Sequence, residues 1–185
     1  MSDYIAYNAE DRESGTPYEE MHPYENYVIS VQTAQQMAHD AGVVFVNGPG
    51  LHYMEDQPDR GEALYKQAAI YTDILFVQTQ GFTTIGQTSE HATPDEYRTS
   101  VKQVADWIHA GNPAAKIWVQ VILSGGVLAE NPLTAAEVVA FAHAVEDFVD
   151  NMRIYLADGS GQIPTENITK LGEILTLLRG PLPTP

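Results

Sequence analysis

Apolar residues along this chain alternate between two periods. Five short runs have strand character: Tyr4–Glu10, Val43–Asn47, Ile74–Gln80, Lys116–Gln120 and Met152–Asp158. Each closes on an amide or a carboxylate, and each is followed by apolar positions at helical spacing. After the first run, Val28, Val31, Ala34 and Met37 predict a helix over Val28–Asp40, which Gly42 stops. Further helices are predicted over Gly61–Tyr71, from Pro94 to about Ala110, from Thr134 to about Val149, and over Thr165–Arg179. Two of them carry strong start signals. Thr93-Pro94-Asp95-Glu96 and Thr134-Ala135-Ala136-Glu137 both place a threonine cap three residues before a glutamate.

A strand feeding a helix, five times over, predicts an α/β fold with parallel strands and crossover helices. Two architectures fit: a TIM-barrel-like or incomplete barrel, and a doubly wound flavodoxin-like sheet. A full barrel needs eight units and about 250 residues, and this chain has 185. Against the doubly wound form, no strand runs through a glycine-rich phosphate loop directly into a helix. Gly48-Pro49-Gly50 is not that fingerprint, because proline supplies no amide donor. No linker divides the chain, so residues 1–180 are expected to form one β/α domain, with 181–185 a mobile Pro-rich tail.

Charge narrows the choice of partners. With 25 acidic and 9 basic residues the net charge is −16, which repels nucleic-acid phosphates and anionic membranes. No run approaches the roughly 20 apolar residues of a membrane span. There is no cysteine, so disulfides and thiolate chemistry are excluded. Met1-Ser2-Asp3 opens without a basic region and apolar run. The expectation is a soluble protein, either cytoplasmic or a secreted mature domain lacking its signal.

Several segments carry a family resemblance. They are Tyr7-Asn8-Ala9-Glu10, Thr16-Pro17, Glu20, the run Tyr71 to Gln80, Pro94-Asp95-Glu96-Tyr97, the run Gly111 to Gln120, and Leu133-Thr134-Ala135-Ala136-Glu137. Across residues 4–158 the chain resembles a family of uncharacterised, often secreted bacterial proteins. That resemblance implies a barrel-like fold distantly similar to glycoside-hydrolase scaffolds, and it implies no particular activity. A partial barrel leaves two strand edges unpaired, so a homo-oligomer is expected.

In parallel sheets, ligands bind outside the carboxyl ends of the strands. Glu10, at the end of the first strand, is the leading acid/base candidate, with Asp11 and Asp158 as catalytic partners. Asn8, Asn47, Gln78, Gln80 and Gln120 form a set of strand-end amides suited to neutral hydroxyl-rich ligands. His52, in the loop after the second strand, joins them as a ligand contact. No two histidines stand at the i, i+4 spacing of a helical metal motif, so no metal ligands are assigned. Glu55, Asp56 and Asp59 leave one opening for a divalent cation, but Pro58 argues against the helix that such a motif uses. Otherwise no cofactor is expected.

These residues support a glycosidase-like hydrolase, or a protein that binds carbohydrate or another polar small molecule at the strand ends. One alternative is a non-catalytic ligand-binding or assembly module. Another is a lyase or cyclase acting on an apolar or diphosphate substrate with magnesium.

Overall fold

The computed structural model describes residues 3–9, 24–49, 58–86, 88–158 and 160–179. Among the described residues five strands and five helices alternate: β1 (Tyr4–Ala9), α1 (Tyr24–Asp40), β2 (Val44–Pro49), α2 (Pro58–Ile70), β3 (Ile74–Gln78), α3 (Pro94–Gly111), β4 (Lys116–Ile122), α4 (Ala135–Val145), β5 (Asn151–Tyr155) and α5 (Thr165–Arg179). Short 3₁₀ turns follow β3 at Gln80–Phe82 and β4 at Gly126–Leu128. The strands form one parallel sheet in the order β1-β2-β3-β4-β5.

That order decides between the two architectures. A doubly wound sheet reverses direction at a switch point and places helices on both faces. Here every crossover steps the same way, and right-handed crossovers then put the described crossover helices on one face. This is the winding of a TIM-barrel-like or incomplete barrel, not of a flavodoxin-like sheet.

The chain forms two compact units that interleave in sequence. The first comprises residues 1–78, 103–119 and 149–151, and the second comprises residues 79–102, 120–148 and 152–185. In the first, two aspartates placed just before strands act alike. The Asp73 carboxylate accepts the Phe45 amide at 2.9 Å, and the Asp150 carboxylate accepts the Ile117 amide at 2.8 Å. Each satisfies a backbone donor at the entrance of the preceding strand. Gly111 ends α3 against the C-terminal part of α2, where a Cβ would collide with the Lys66 carbonyl. Beside it, Asn112 donates to the Ala69 and Thr72 carbonyls at 3.1 and 3.3 Å.

In the second unit, both threonine caps are realised. Thr93 and Thr134 each receive the amide three residues on, while Glu96 and Glu137 accept from the cap residue in return. Tyr97 stacks on Phe141 at 4.6 Å and its hydroxyl meets Thr79 at 2.8 Å. Arg98 clamps Asp147 through two bonds of 2.6 and 2.8 Å and lies over the Phe148 ring.

Some boundaries differ from the expected ones. Helix α2 begins at Pro58, not Gly61. Proline is tolerated at the first helical position, because the amide it lacks has no intrahelical partner there. Glu55 and Asp56 of the acidic motif precede this start and lie outside the described residues. Helix α1 starts four residues before Val28, and α4 ends at Val145. Strand β5 stops at Tyr155, so Asp158 lies in the loop beyond it.

Candidate functional site

Parallel pairing fixes which side chains share a face. Tyr4 pairs with Val44, and Val46 pairs with Ile74. Tyr4, Val44, Val46, Ile74, Phe76 and Gln78 therefore project from one face, because alternate residues of a strand do so. Asn47 and Leu75 project from the other, which helix α1 covers. There the buried Tyr27 hydroxyl of α1 and the Asn47 side-chain amide bond each other at 3.1–3.2 Å.

The face away from α1 is curved. The rings of Tyr4 on β1 and Trp118 on β4 meet edge to face, with centroids 6.2 Å apart. Three strand spacings on a flat sheet would separate them by about 14 Å. Within the first unit the sheet therefore curls, and this face is its concave side. Tyr4 remains 41% exposed, and Phe76 and Trp118 are half-buried. The surface is thus aromatic, concave and open.

The polar groups named from sequence fall out differently. Gln78, two residues beyond Phe76 on β3, sits on the concave face and is largely buried. Gln80 lies beyond the end of the strand at Gln78 and opens a 3₁₀ turn. Asn47 lies on the helix-covered face, with its amide engaged by Tyr27. Asn8 stands in β1 paired with Gly48, and its side chain lies outside the description. In the second unit, Gln120 is half-buried and follows the alternation of β4, where Val119 and Val121 are fully buried.

Among the catalytic candidates, Glu10 and Asp11 lie outside the described residues, as do His52, Glu55 and Asp56. Asp59 falls in the first turn of α2, with its side chain outside the description. Asp158 organises a turn. One of its oxygens accepts the Ser160 hydroxyl at 2.6 Å, the Ser160 amide at 2.8 Å and the Gln162 amide at 3.1 Å. The Ser160 bonds are the main cause that holds its carboxyl below the usual range. It is an anion that shapes a loop. Among the described residues, no group of three histidine or acidic side chains is placed to hold a metal ion.

One histidine absent from the sequence-derived set is firmly placed. His91 Nδ1 meets Glu137 at 2.7 Å, and Nε2 meets the Asn131 carbonyl at 2.8 Å. Burial opposes its charging, but the Asn131 and Glu137 hydrogen bonds and the Glu137 charge outweigh this and raise its pKa. Both ring nitrogens face acceptors, so the imidazolium is the form that satisfies both. Ser124 receives a bond from the Asn167 amide at 2.9 Å rather than from a histidine. Sequence reasoning also passed over Tyr4 and Trp118. Their signal was available, since Trp118, Gln120 and Ile122 alternate with Ile117, Val119 and Val121 along one strand.

No family model matches the chain, and neither does any curated protein. Among solved structures it is similar to bee venom hyaluronidase, with a TM-score of 0.47 and 11% identity over 84% of this chain. The matched part is 50% of that structure, so the chain spans half its length. Among the described residues, no helix is long and apolar enough to cross a membrane.

Proposed function

We propose that this protein binds a neutral, hydroxyl-rich small molecule of the carbohydrate class on the concave face of its sheet, away from α1. The observation that carries this reading is the Tyr4–Trp118 ring contact, which makes that face concave and aromatic. Ring faces there offer apolar platforms, and Gln78 on the same face adds an uncharged polar side chain. A net charge of −16 disfavours anionic ligands and leaves neutral ones unopposed. Glycosidase-like hydrolysis is the catalytic extension of this reading. Glu10 would serve as the acid/base group, with Asp11 as the partner carboxylate about 5 Å away for retention or about 6.5–9.5 Å for inversion. Asp158 is less suited to the role, because its carboxylate is occupied by Ser160 and Gln162.

The test uses the two tryptophans. Trp107 stacks with Tyr65 at 6.4 Å in the helical layer, so Trp107→Phe leaves emission to Trp118 alone. Titrating that variant with a panel of neutral oligosaccharides should shift Trp118 emission saturably for at least one of them. Gln78→Leu in the same background should weaken the response about tenfold, the loss of one good hydrogen bond. Unchanged emission across the panel, with the fold intact, would overturn the reading.

A further inference from the structure

We propose that residues 124–132, the loop after β4, form a lid that the His91 imidazolium latches shut and releases when it loses a proton. The two ends of this loop are tied together, because the Leu133 amide donates to the Leu123 carbonyl at 3.2 Å. That is the build of an Ω-loop, a compact surface segment whose ends are close. Leu128 is buried and anchors the first part, whereas Ala129, Glu130 and Asn131 are exposed. Among the described residues, the hydrogen bonds that hold this tip to the segment after β3 both run through Asn131. Its carbonyl accepts from His91 Nε2 at 2.8 Å, and its side-chain amide donates to the Ser89 carbonyl at 2.8 Å.

The other parts of the latch are fixed. On either side of His91, the Ile85 amide donates to the Glu90 carbonyl at 2.9 Å and the Ala92 amide to the Thr83 carbonyl at 3.0 Å. Glu137 Oε2 accepts from the Thr134 amide and hydroxyl at 2.8 and 2.7 Å, while its Oε1 meets His91 Nδ1 at 2.7 Å. A carboxylate is a stronger acceptor than a carbonyl. When one proton leaves the ring, the other therefore stays on Nδ1 beside Glu137. Nε2 then turns a lone pair toward the Asn131 carbonyl oxygen, and two acceptors at 2.8 Å repel. The water-exposed Ser89 bond is the remaining tie and holds the tip only weakly.

The surroundings set the direction of the switch. Burial opposes the cation, the Asn131 and Glu137 hydrogen bonds and the Glu137 charge favour it, and Lys170 on α5 opposes it. The exposed acids Glu90 and Glu130 stand next in sequence to His91 and Asn131. The balance raises the His91 pKa above its usual 6.5, so the lid is shut below that value. It opens as pH rises through the folded value.

The chain has no cysteine, so Ala129→Cys carries a single nitroxide on the exposed tip. Its electron paramagnetic resonance spectrum should be that of a held label at about pH 5.5 and of a mobile one at about pH 8.5. The midpoint should match the titration of the His91 ring followed by NMR. Glu137→Gln keeps the helix cap, because glutamine serves there as glutamate does, but it removes the anion. The midpoint should then fall by about one pH unit, a tenfold change in the proton's affinity. His91→Phe, with far-UV circular dichroism unchanged, should leave the label mobile at both values. A label equally held at both values in the wild type would overturn the proposal. So would a midpoint that Glu137→Gln does not move, or a tip still held at about pH 5.5 in His91→Phe.

Discussion

Gly111 has the most sharply defined role of any residue in the first unit. Its α-carbon passes so close to the Lys66 carbonyl that no side chain fits, and the obstacle is backbone rather than a side chain that could swing away. Gly111→Ala should therefore destabilise the protein by about 2–3 kcal/mol, as overpacking does, despite alanine's higher helix propensity. Chemical denaturation checks this, and a stabilised variant would contradict the close approach. Asn47 illustrates the converse. From sequence it reads as a strand-end amide for a ligand, whereas its observed hydrogen bonds run to the buried Tyr27 hydroxyl. Asn47→Ala should cost about 1 kcal/mol, because the Tyr27 hydroxyl loses a buried hydrogen bond. It should leave carbohydrate affinity unchanged in the Trp118 titration. One residue of shift along a strand separates the two faces, and nothing in a short buried run such as Val43–Asn47 marks which is which.

At the scale of elements, local signals were legible where the physics is local. Both threonine caps were readable, since a cap and its glutamate are three residues apart. The start of α2 was placed three residues late, at Gly61, because proline's compatibility with the first helical turn was not used there. The expected strand ran to Gln80, whereas it ends at Gln78 and a 3₁₀ turn follows. The His91 strap joins elements 40 and more residues apart, so no window of sequence contains it. It should also respond to pH. His91's pKa is raised above its usual 6.5, so its contribution is complete below that value and is lost as pH rises through the folded value. For Glu137, burial opposes the carboxylate, but hydrogen bonds from Thr134 and then His91 outweigh it and lower its pKa from the usual 4.5. Its contribution is present above 4.5 and fades as pH falls through the lower, folded value. The charged groups acting on His91 are Glu137, which favours its cation, and Lys170, which opposes it. The strap is therefore strongest between about pH 4.5 and 6.5. His91→Gln should lower the melting temperature by several degrees at pH 5.5 and by less at pH 8.5. An equal loss at both values would show that the cation contributes nothing.

For the whole molecule, the β/α alternation and the parallel sheet could be read from periodicity alone, because five repeats of two periods leave few topologies. The strand order was not readable, and it is what settled the winding. Nor was the curvature. A contact between Tyr4 and Trp118 spans 114 residues of sequence and depends on how strongly each strand twists against the next. That curvature turns a row of unremarkable aromatic positions into a candidate binding surface, and the central claim rests on it. The most direct measurement is an NMR titration of the labelled protein with the oligosaccharide that moves Trp118 emission, following the Trp118 indole and Gln78 side-chain signals. The account predicts that both shift together along one saturation curve while the Trp107 indole stays still. Shifts confined to other residues, with Trp118 and Gln78 unmoved at saturation, would place the ligand elsewhere and contradict it.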